Sequence, residues 1–99
     1  SVDCNALCAE MRALLGSAIP RRVRLGFDLA DALPKVMADD TQLRQVVMNL
    51  VTNAADAIGE NEGDVVIRTT TRVVHPGESR EGWVGHVLAD GHYVVIEAS

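Results

Sequence analysis

The hydrophobic positions of the chain repeat first with the period of a helix and then with that of a strand. In residues 5–18 they fall three and four positions apart, which predicts an amphipathic helix capped by either Asp3 or Asn5. Apolar and polar side chains alternate over residues 22–29, and this alternation predicts a half-buried strand. Residues 35–38 follow a Leu-Pro break and predict a short second strand.

The longest uninterrupted pattern predicts a helix over residues 40–58. Asp39 precedes it as a capping residue with a Gln three positions on, and no Gly or Pro occurs until Gly59 ends the run. Beyond a polar turn, the β-branched side chains of residues 64–74 predict a long strand, and residues 92–99 predict another. The Gly-rich, charged stretch between these two strands is typical of an extended loop or a hairpin insertion.

The order of these elements predicts an α+β fold in two layers, with the helices on one face of a mixed or antiparallel sheet. At 99 residues, 47% of them apolar, the chain is one small domain or a piece of one. A net charge of -5 and only three aromatic residues argue against a nucleic-acid module, which needs a basic face and stacking surfaces. No apolar run reaches the roughly 20 residues of a membrane helix, and no signal-peptide layout is present, so we expect a cytoplasmic location.

The two cysteines, Cys4 and Cys8, lie four positions apart on the first predicted helix. A disulfide across one helical turn has poor geometry, and the three histidines stand at no recognisable metal-ligand spacing from the thiols. We therefore expect reduced, packed thiols rather than a disulfide or a metal site.

The predicted helix of residues 40–58 has two unlike faces. An advance of about 100° per residue gathers its apolar residues in one sector, which predicts the core face. These residues are Leu43, Val46, Val47, Leu50, Ala54, Ala57 and Ile58. The opposite sector, which we call the amide stripe, holds Gln42, Gln45, Asn49, Thr52, Asn53 and Asp56.

The amide stripe is unusual for an exposed helical face, which ordinarily carries Lys, Glu and Arg. Asn and Thr in mid-helix each cost about 0.5 kcal/mol relative to Ala, so their presence implies that the side chains bind something. Asn49, Asn53 and Asp56 are spaced so that their oxygens can converge above the helix, where such hard donors suit Mg²⁺ and amide hydrogens suit phosphate. In the alternative interpretation, the amides bridge to a neighbouring loop or strand and bind no ligand.

The segment from Asp39 to Ile58 reads DDTQLRQVVMNLVTNAADAI and resembles the N box of two-component sensor histidine kinases. The resemblance is closest to bacterial kinases, often hybrids with receiver and PAS modules, whose box ends Asn-Ala-x-Asp-Ala or Asn-Ala-x-Glu-Ala. It extends over nearly the whole chain and is weakest from Thr70 to Gly91. It implies an incomplete ATP-binding catalytic domain of the GHKL superfamily, a two-layer α/β sandwich with helices packed on one face of a mixed sheet.

Carried over by position, the resemblance implies that this helix holds ATP and Mg²⁺. Asn53 would supply the amide ligand to Mg²⁺, and Asn49 would face the phosphates. Asp56 stands where many relatives place a basic contact to phosphate or ribose, so an acid there favours the metal. The implied reaction transfers the γ-phosphate to a histidine on a separate dimerisation domain, and the implied partners are that domain and the receiver domain of a response regulator. The parent protein is then cytoplasmic or tethered to a membrane.

Two other function classes stay open. Hydrolysing ATPases of the same superfamily, such as DNA gyrase and the mismatch-repair ATPases, place a Glu general base where this chain has Asn49. An amide cannot take a proton at neutral pH, so this residue favours phosphoryl transfer over hydrolysis. A non-catalytic interaction module would instead use the amide stripe to bind a partner.

Several motifs of a complete sensor kinase do not occur in the 99 residues. These are the Asp-x-Gly-x-Gly box that contacts adenine, the lid with its second glycine-rich box, and a phosphoacceptor His followed by an acidic residue. We therefore expect this segment alone to bind ATP too weakly to be active. We also expect its last strand to form an open sheet edge through which the segment self-associates.

Overall fold

The computed structural model describes residues 1–73, 83–89 and 92–99, which form three helices and four strands. The helices are α1 (Cys4–Glu10), α2 (Arg12–Ala18) and α3 (Asp40–Ile58). The strands are β1 (Val23–Leu29), β2 (Gly63–Val73), β3 (Trp83–Ala89) and β4 (His92–Ala98). The prediction of an α+β fold is confirmed.

The four strands form one mixed sheet in the order β1-β2-β4-β3. β1 and β2 are parallel, with Val23 opposite Gly63, and α3 connects them. β4 is antiparallel to both β2 and β3. The prediction of an open edge at the last strand is wrong, because β4 lies between two other strands. In the described part of the chain, the edge strands are β1 and β3.

The helices and the sheet share one hydrophobic core. Leu7 of α1, Leu15 of α2 and Val47 of α3 are each at most 2% exposed and belong to the same buried cluster. Val65 and Ile67 of β2 complete the cluster from the sheet side and are fully buried. Because these two residues are separated by one position, they point to the same face of the sheet, and this face is the one that meets the helices.

The first predicted helix and the short second strand differ from the structure. Residues 5–18 form two helices separated at Met11, whose ψ of -4° departs from the helical value and interrupts the axis. Of residues 35–38, only Val36 pairs, in an isolated antiparallel bridge with Val2. The bridge does not grow into a ladder because α1 begins two residues after Val2 and leaves no extended partner.

The stretch between the last two predicted strands is partly described. Within it, β3 pairs antiparallel with β4, as a hairpin insertion requires. The predictions that fall on residues 74–82 and 90–91, including the end of the strand predicted over residues 64–74, lie outside the described residues. None of the described helices is both long and apolar enough to cross a membrane.

Candidate functional site

α3 begins and ends at the residues that its sequence signals. The Asp39 carboxylate accepts a hydrogen bond of 3.1 Å from the backbone N–H of Gln42, which satisfies one of the free donors of the first turn. Gly59 ends the helix with a φ of 71°, a conformation that a residue with a Cβ adopts only with strain. The resulting bounds, Asp40–Ile58, are those that the sequence predicts.

Arg44 ties the first turns of α3 to α1. Its Nε donates to Asp40 at 2.6 Å and its Nη2 donates to Glu10 at 2.5 Å. These hydrogen bonds, first that to Asp40 and then that to Glu10, raise the pKa of the guanidinium above its ordinary value. Since Asp40 and Glu10 are solvent-exposed and Arg44 is partly exposed, the ion pairs fix the position of α3 more than they stabilise the fold. Glu10, Asp40 and Arg44 also line a groove of about 230 Å³, which lies on the side of α3 away from the amide stripe.

Arg22, which precedes β1, holds the other end of α3. Its Nε and Nη2 both donate to the carbonyl of Gly59, at 3.0 and 2.5 Å. Ile58 packs on Gly63 at the start of β2 so closely that a Cβ at Gly63 would lie 3.0 Å from the Ile58 side chain. The helix is therefore fixed at both ends relative to its neighbours.

The buried face of α3 lies about 60° further round the helix than the sequence predicts. Its buried residues are Leu43, Val47, Val51 and Ala55. Several residues of the predicted core sector are only half-buried, namely Val46, Leu50, Ala54 and Ile58. The assignment of Ala57 to the core is wrong, since it is exposed. The rotation follows from α1, which meets α3 at Arg44 and so covers the side on which Val51 and Ala55 lie.

The amide stripe points away from the core. Asn49, Asn53 and Asp56 are exposed, and within residues 1–73, 83–89 and 92–99 their side chains have no hydrogen bond or ion pair. Thr52 differs, because its Oγ1 lies 3.0 Å from the carbonyl oxygen of Met48 and 3.2 Å from that of Asn49 and donates to the helix backbone. Asn49, Asn53 and Asp56 thus remain available to a ligand, as do the exposed Gln42 and Gln45, although a binding role for the stripe stays a prediction.

The exposed groups of the stripe fit a hard cation together with phosphate. Mg²⁺ usually keeps several waters and takes one or two protein oxygens along with the oxygens of a substrate phosphate. Residues one helical turn apart have Cβ atoms about 5–6 Å from each other, so Asn49 and Asn53 can reach one ligand. In the described ranges, no three His, Cys, Asp or Glu side chains group to hold a metal ion. A metal at the stripe would therefore take its remaining ligands from water or from a bound phosphate.

A different asparagine makes the structural bridge that the alternative interpretation assigned to the stripe. The Nδ2 of Asn5 donates to the carbonyl of Ala30 at 2.7 Å, and its Oδ1 accepts from the Thr69 hydroxyl at 2.6 Å. The Thr69 Oγ1 also accepts from the N–H of Ala30 at 3.0 Å, and Thr69 is only 4% exposed. This network, which we call the Asn5 junction, joins α1 to the residue that follows β1 and to the middle of β2. The sequence gives no local signal for it, because the partners of Asn5 lie 25 and 64 positions away.

Cys4 and Cys8 are free thiols buried in the core on α1. Burial raises the pKa of both thiols, and the neighbouring Asp3 adds to the rise at Cys4. Burial, with a further contribution from Cys4, raises the pKa of Cys8 to about 11. Both side chains are therefore protonated at neutral pH and act as packing residues.

Comparison with known proteins finds sensor histidine kinases that are similar to part of the chain. No protein-family model matches it. The sensory histidine kinase/phosphatase NtrB of Salmonella typhimurium is 39% identical over 59 residues, which are 60% of this chain and 17% of that protein. NtrB of Rhizobium meliloti is 32% identical over 72 residues, or 72% of this chain and 19% of the relative. The sensor histidine kinase ZraS of Escherichia coli is 39% identical over 62 residues, or 62% and 13%.

The aligned part of the chain spans less than a fifth of the length of each of these relatives. The match is nevertheless consistent across relatives, since all three bear the name of a histidine kinase. The chain is therefore a homologue of the sensor histidine kinases and corresponds to a segment of them.

Proposed function

We propose that this chain is the part of a sensor histidine kinase that holds Mg²⁺ and the phosphates of ATP. The observation that carries the proposal is the exposure of Asn49, Asn53 and Asp56, without partners in the described residues, on one face of a firmly anchored helix. The names of the curated relatives support the kinase class of the parent protein. The resemblance of α3 to the N box supports the choice of nucleotide and metal.

Each of the three side chains has a distinct role in this proposal. The Asn53 carboxamide oxygen coordinates Mg²⁺, and the Asn49 side chain donates to a phosphate oxygen. Asp56 lies near the C-terminal end of α3, where both its own charge and the helix dipole favour a cation. When bound, the metal neutralises charge on the phosphates, and the fixed helix holds its ligands in place.

The chemistry of Asn49 favours phosphoryl transfer over hydrolysis. A carboxamide is not a base at neutral pH, so it cannot activate a water as the Glu of a hydrolysing relative does. We propose that the γ-phosphate passes to a histidine on a separate dimerisation domain and then to the receiver domain of a response regulator. A hydrolysing ATPase is the second candidate, and Asn49 is the residue that disfavours it.

Autophosphorylation of the full-length parent protein tests the proposal. We expect Asn53→Ala to abolish transfer of label from ATP carrying a labelled γ-phosphate, because it removes a metal ligand. Asn53→Asp keeps an oxygen at the same place and should retain part of the activity. Gln45→Ala is the matched control, since Gln45 is an exposed amide on the same stripe with no assigned ligand.

Two results would count against the assignment. Normal labelling of Asn53→Ala would show that this residue is not a metal ligand. Equal losses in Asn53→Ala and Gln45→Ala would show that the whole stripe acts as a contact surface, which is the behaviour of an interaction module.

A further inference from the structure

β1 has a free edge. β2 lies on one side of it, and the described residues place no strand on the other. Before β1, the Arg22 carbonyl accepts a hydrogen bond from the Gly63 N–H of β2, and after β1 the Ala30 N–H donates to the Thr69 hydroxyl of β2. The backbone groups of these two even-numbered residues therefore point toward β2. Because backbone direction alternates along a strand, the odd-numbered positions between them, such as Leu25 and Phe27, direct their N–H and C=O groups to the free edge.

The sequence of β1, VRLGFDL, is symmetric in its chemistry about Gly26. Arg24 and Asp28 stand two positions to either side and have opposite charges, while Leu25 and Phe27 stand one position to either side and are both apolar. If two copies of this strand pair antiparallel with Gly26 opposite Gly26, each Arg24 lies opposite the Asp28 of the other copy. Leu25 then lies opposite Phe27, and these are the positions whose backbone groups point across the edge.

This register is the one that pairs all seven residues of β1 and brings both charges into attractive pairs within the strand. The charges are accessible, since the side chains of Arg24 and Asp28 are 70% and 76% exposed. Within the chain, Arg24 binds Asp64 at 2.6 Å, whereas Asp28 lies 3.9 Å from Arg68. Exposed groups in these positions have room for a second partner across the edge.

Apolar surface lies next to the same edge. The guanidinium carbon of Arg12 is 4.3 Å from the centroid of the Phe27 ring, which places the start of α2 beside β1. A twofold axis perpendicular to the sheet keeps the helical layers of both copies on one face, so the half-buried Leu25 and Phe27 of the two copies lie on the same face of the continued sheet.

We propose that a second copy of this chain pairs edge to edge with β1, in an antiparallel arrangement centred on Gly26 that continues the sheet through both copies. The proposal concerns assembly and is independent of nucleotide binding. It uses a different strand from the one that the sequence suggested, because β4 is internal to the sheet.

Sedimentation equilibrium of the 99-residue chain and its charge variants tests the register. We expect a dimer that weakens as salt is added. Arg24→Asp and Asp28→Arg each place like charges opposite one another and should raise the dissociation constant at least about tenfold. The double variant R24D/D28R restores both attractive pairs and should dimerise again.

An equimolar mixture of the two single variants provides the sharpest comparison. One variant carries two acids at these positions and the other two arginines, so the mixture should form a heterodimer although each variant alone dimerises at least about tenfold more weakly than the wild type. Asp64→Asn is the matched control, because it removes the intrachain partner of Arg24 and leaves the edge charges in place. It should leave the dimer intact.

A cysteine at the symmetry centre gives a second measurement that does not depend on the charges. A Cβ at Gly26 meets only the Val66 side chain, at an ordinary 3.7 Å, so Gly26→Cys fits the fold. Opposed Cα atoms of a non-hydrogen-bonded antiparallel pair lie about 4.5 Å apart, within the range of a disulfide. Under mild oxidation Gly26→Cys should form a disulfide-linked dimer, whereas Asp64→Cys, one strand further in, should not.

The proposal is overturned if the wild-type chain stays monomeric at its highest soluble concentration. It is also overturned if the single charge variants dimerise as the wild type does, or if their mixture remains monomeric while circular dichroism shows both to be folded. Equal cross-linking of Gly26→Cys and Asp64→Cys would likewise assign any dimer to another surface.

Discussion

Asparagines in two regions of this molecule use the same side chain in opposite ways. At the Asn5 junction, both the nitrogen and the oxygen of the amide are bonded within the chain, to Ala30 and Thr69. On the amide stripe, Asn49 and Asn53 are exposed and have no side-chain partner among the described residues. An amide side chain therefore indicates a function only once its surroundings are known.

The two regions also differ in what their asparagines contribute to stability. The junction replaces water with fixed partners around Thr69, and removal of one partner leaves buried groups unsatisfied. On the stripe the amides remain hydrated, and each occupies a mid-helix position where Ala is the better helix former. Stability therefore accounts for Asn5 and gives no reason for Asn49 or Asn53.

The largest expected effect on stability is that of Asn5→Ala. It leaves the Ala30 carbonyl without its side-chain donor and the Thr69 hydroxyl hydrogen without an acceptor, although the Ala30 N–H still donates to the Thr69 oxygen. The substitution should lower the free energy of unfolding by about 2–4 kcal/mol. Urea denaturation followed by circular dichroism measures the change. A loss below about 0.5 kcal/mol, the range of an ordinary surface substitution, would mean that the junction does not stabilise the fold.

Alkaline pH should lower the free energy of unfolding by slightly less than Asn5→Ala does. In the unfolded chain the Cys8 thiol ionises near its ordinary pKa of 9.0, whereas in the folded chain it keeps its proton until about 11. The unfolded state therefore holds fewer protons in this window, and the free energy of unfolding falls as pH rises, by about 2–3 kcal/mol in total from this thiol. Urea denaturation at a series of pH values from about 8 to about 11 measures how the free energy of unfolding changes with pH. In Cys8→Ala the free energy of unfolding should depend less steeply on pH than in the wild type. An equally steep dependence would assign the effect to other groups.

The smallest effect has the opposite sign. Asn49→Ala and Asn53→Ala should each raise the free energy of unfolding by about 0.5 kcal/mol, since no partner is lost and helix propensity improves. The same denaturation assay, run beside Asn5→Ala, detects the contrast in sign. If either variant were destabilised by more than about 1 kcal/mol, its amide would have a structural partner, and the comparison between the two regions would fail.

Local signals predict much of this fold. The cap at Asp39 and the stop at Gly59 define α3 because each depends on residues within one turn of the helix end. The alternation in β1 and the β-branched run in β2 likewise predict strands close to the observed bounds.

Features that depend on distant parts of the chain are not predicted. The rotation of α3 that buries Val51 and Ala55 is set by α1, and the internal position of β4 is set by the order of the sheet. The Asn5 junction needs a partner 64 positions away. For the candidate site, residue types and spacing identify Asn49, Asn53 and Asp56 as a set, whereas the freedom of their side chains is visible only in the folded chain.

The parallel pairing of β1 and β2 has a consequence for how changes in the two regions combine. A helix that connects parallel strands runs back against them, so α3 starts near the carboxyl ends of the strands and finishes near their amino ends, beside Arg22. The Asn5 junction lies at the carboxyl end of β1, about 20 Å along that strand from Arg22. The side chains of Asn49, Asn53 and Asp56 share no partner with the junction among the described residues, so we expect the free-energy changes from one substitution in each region to add. Substitutions on the amide stripe can therefore change its surface without weakening the hydrogen bonds of the Asn5 junction.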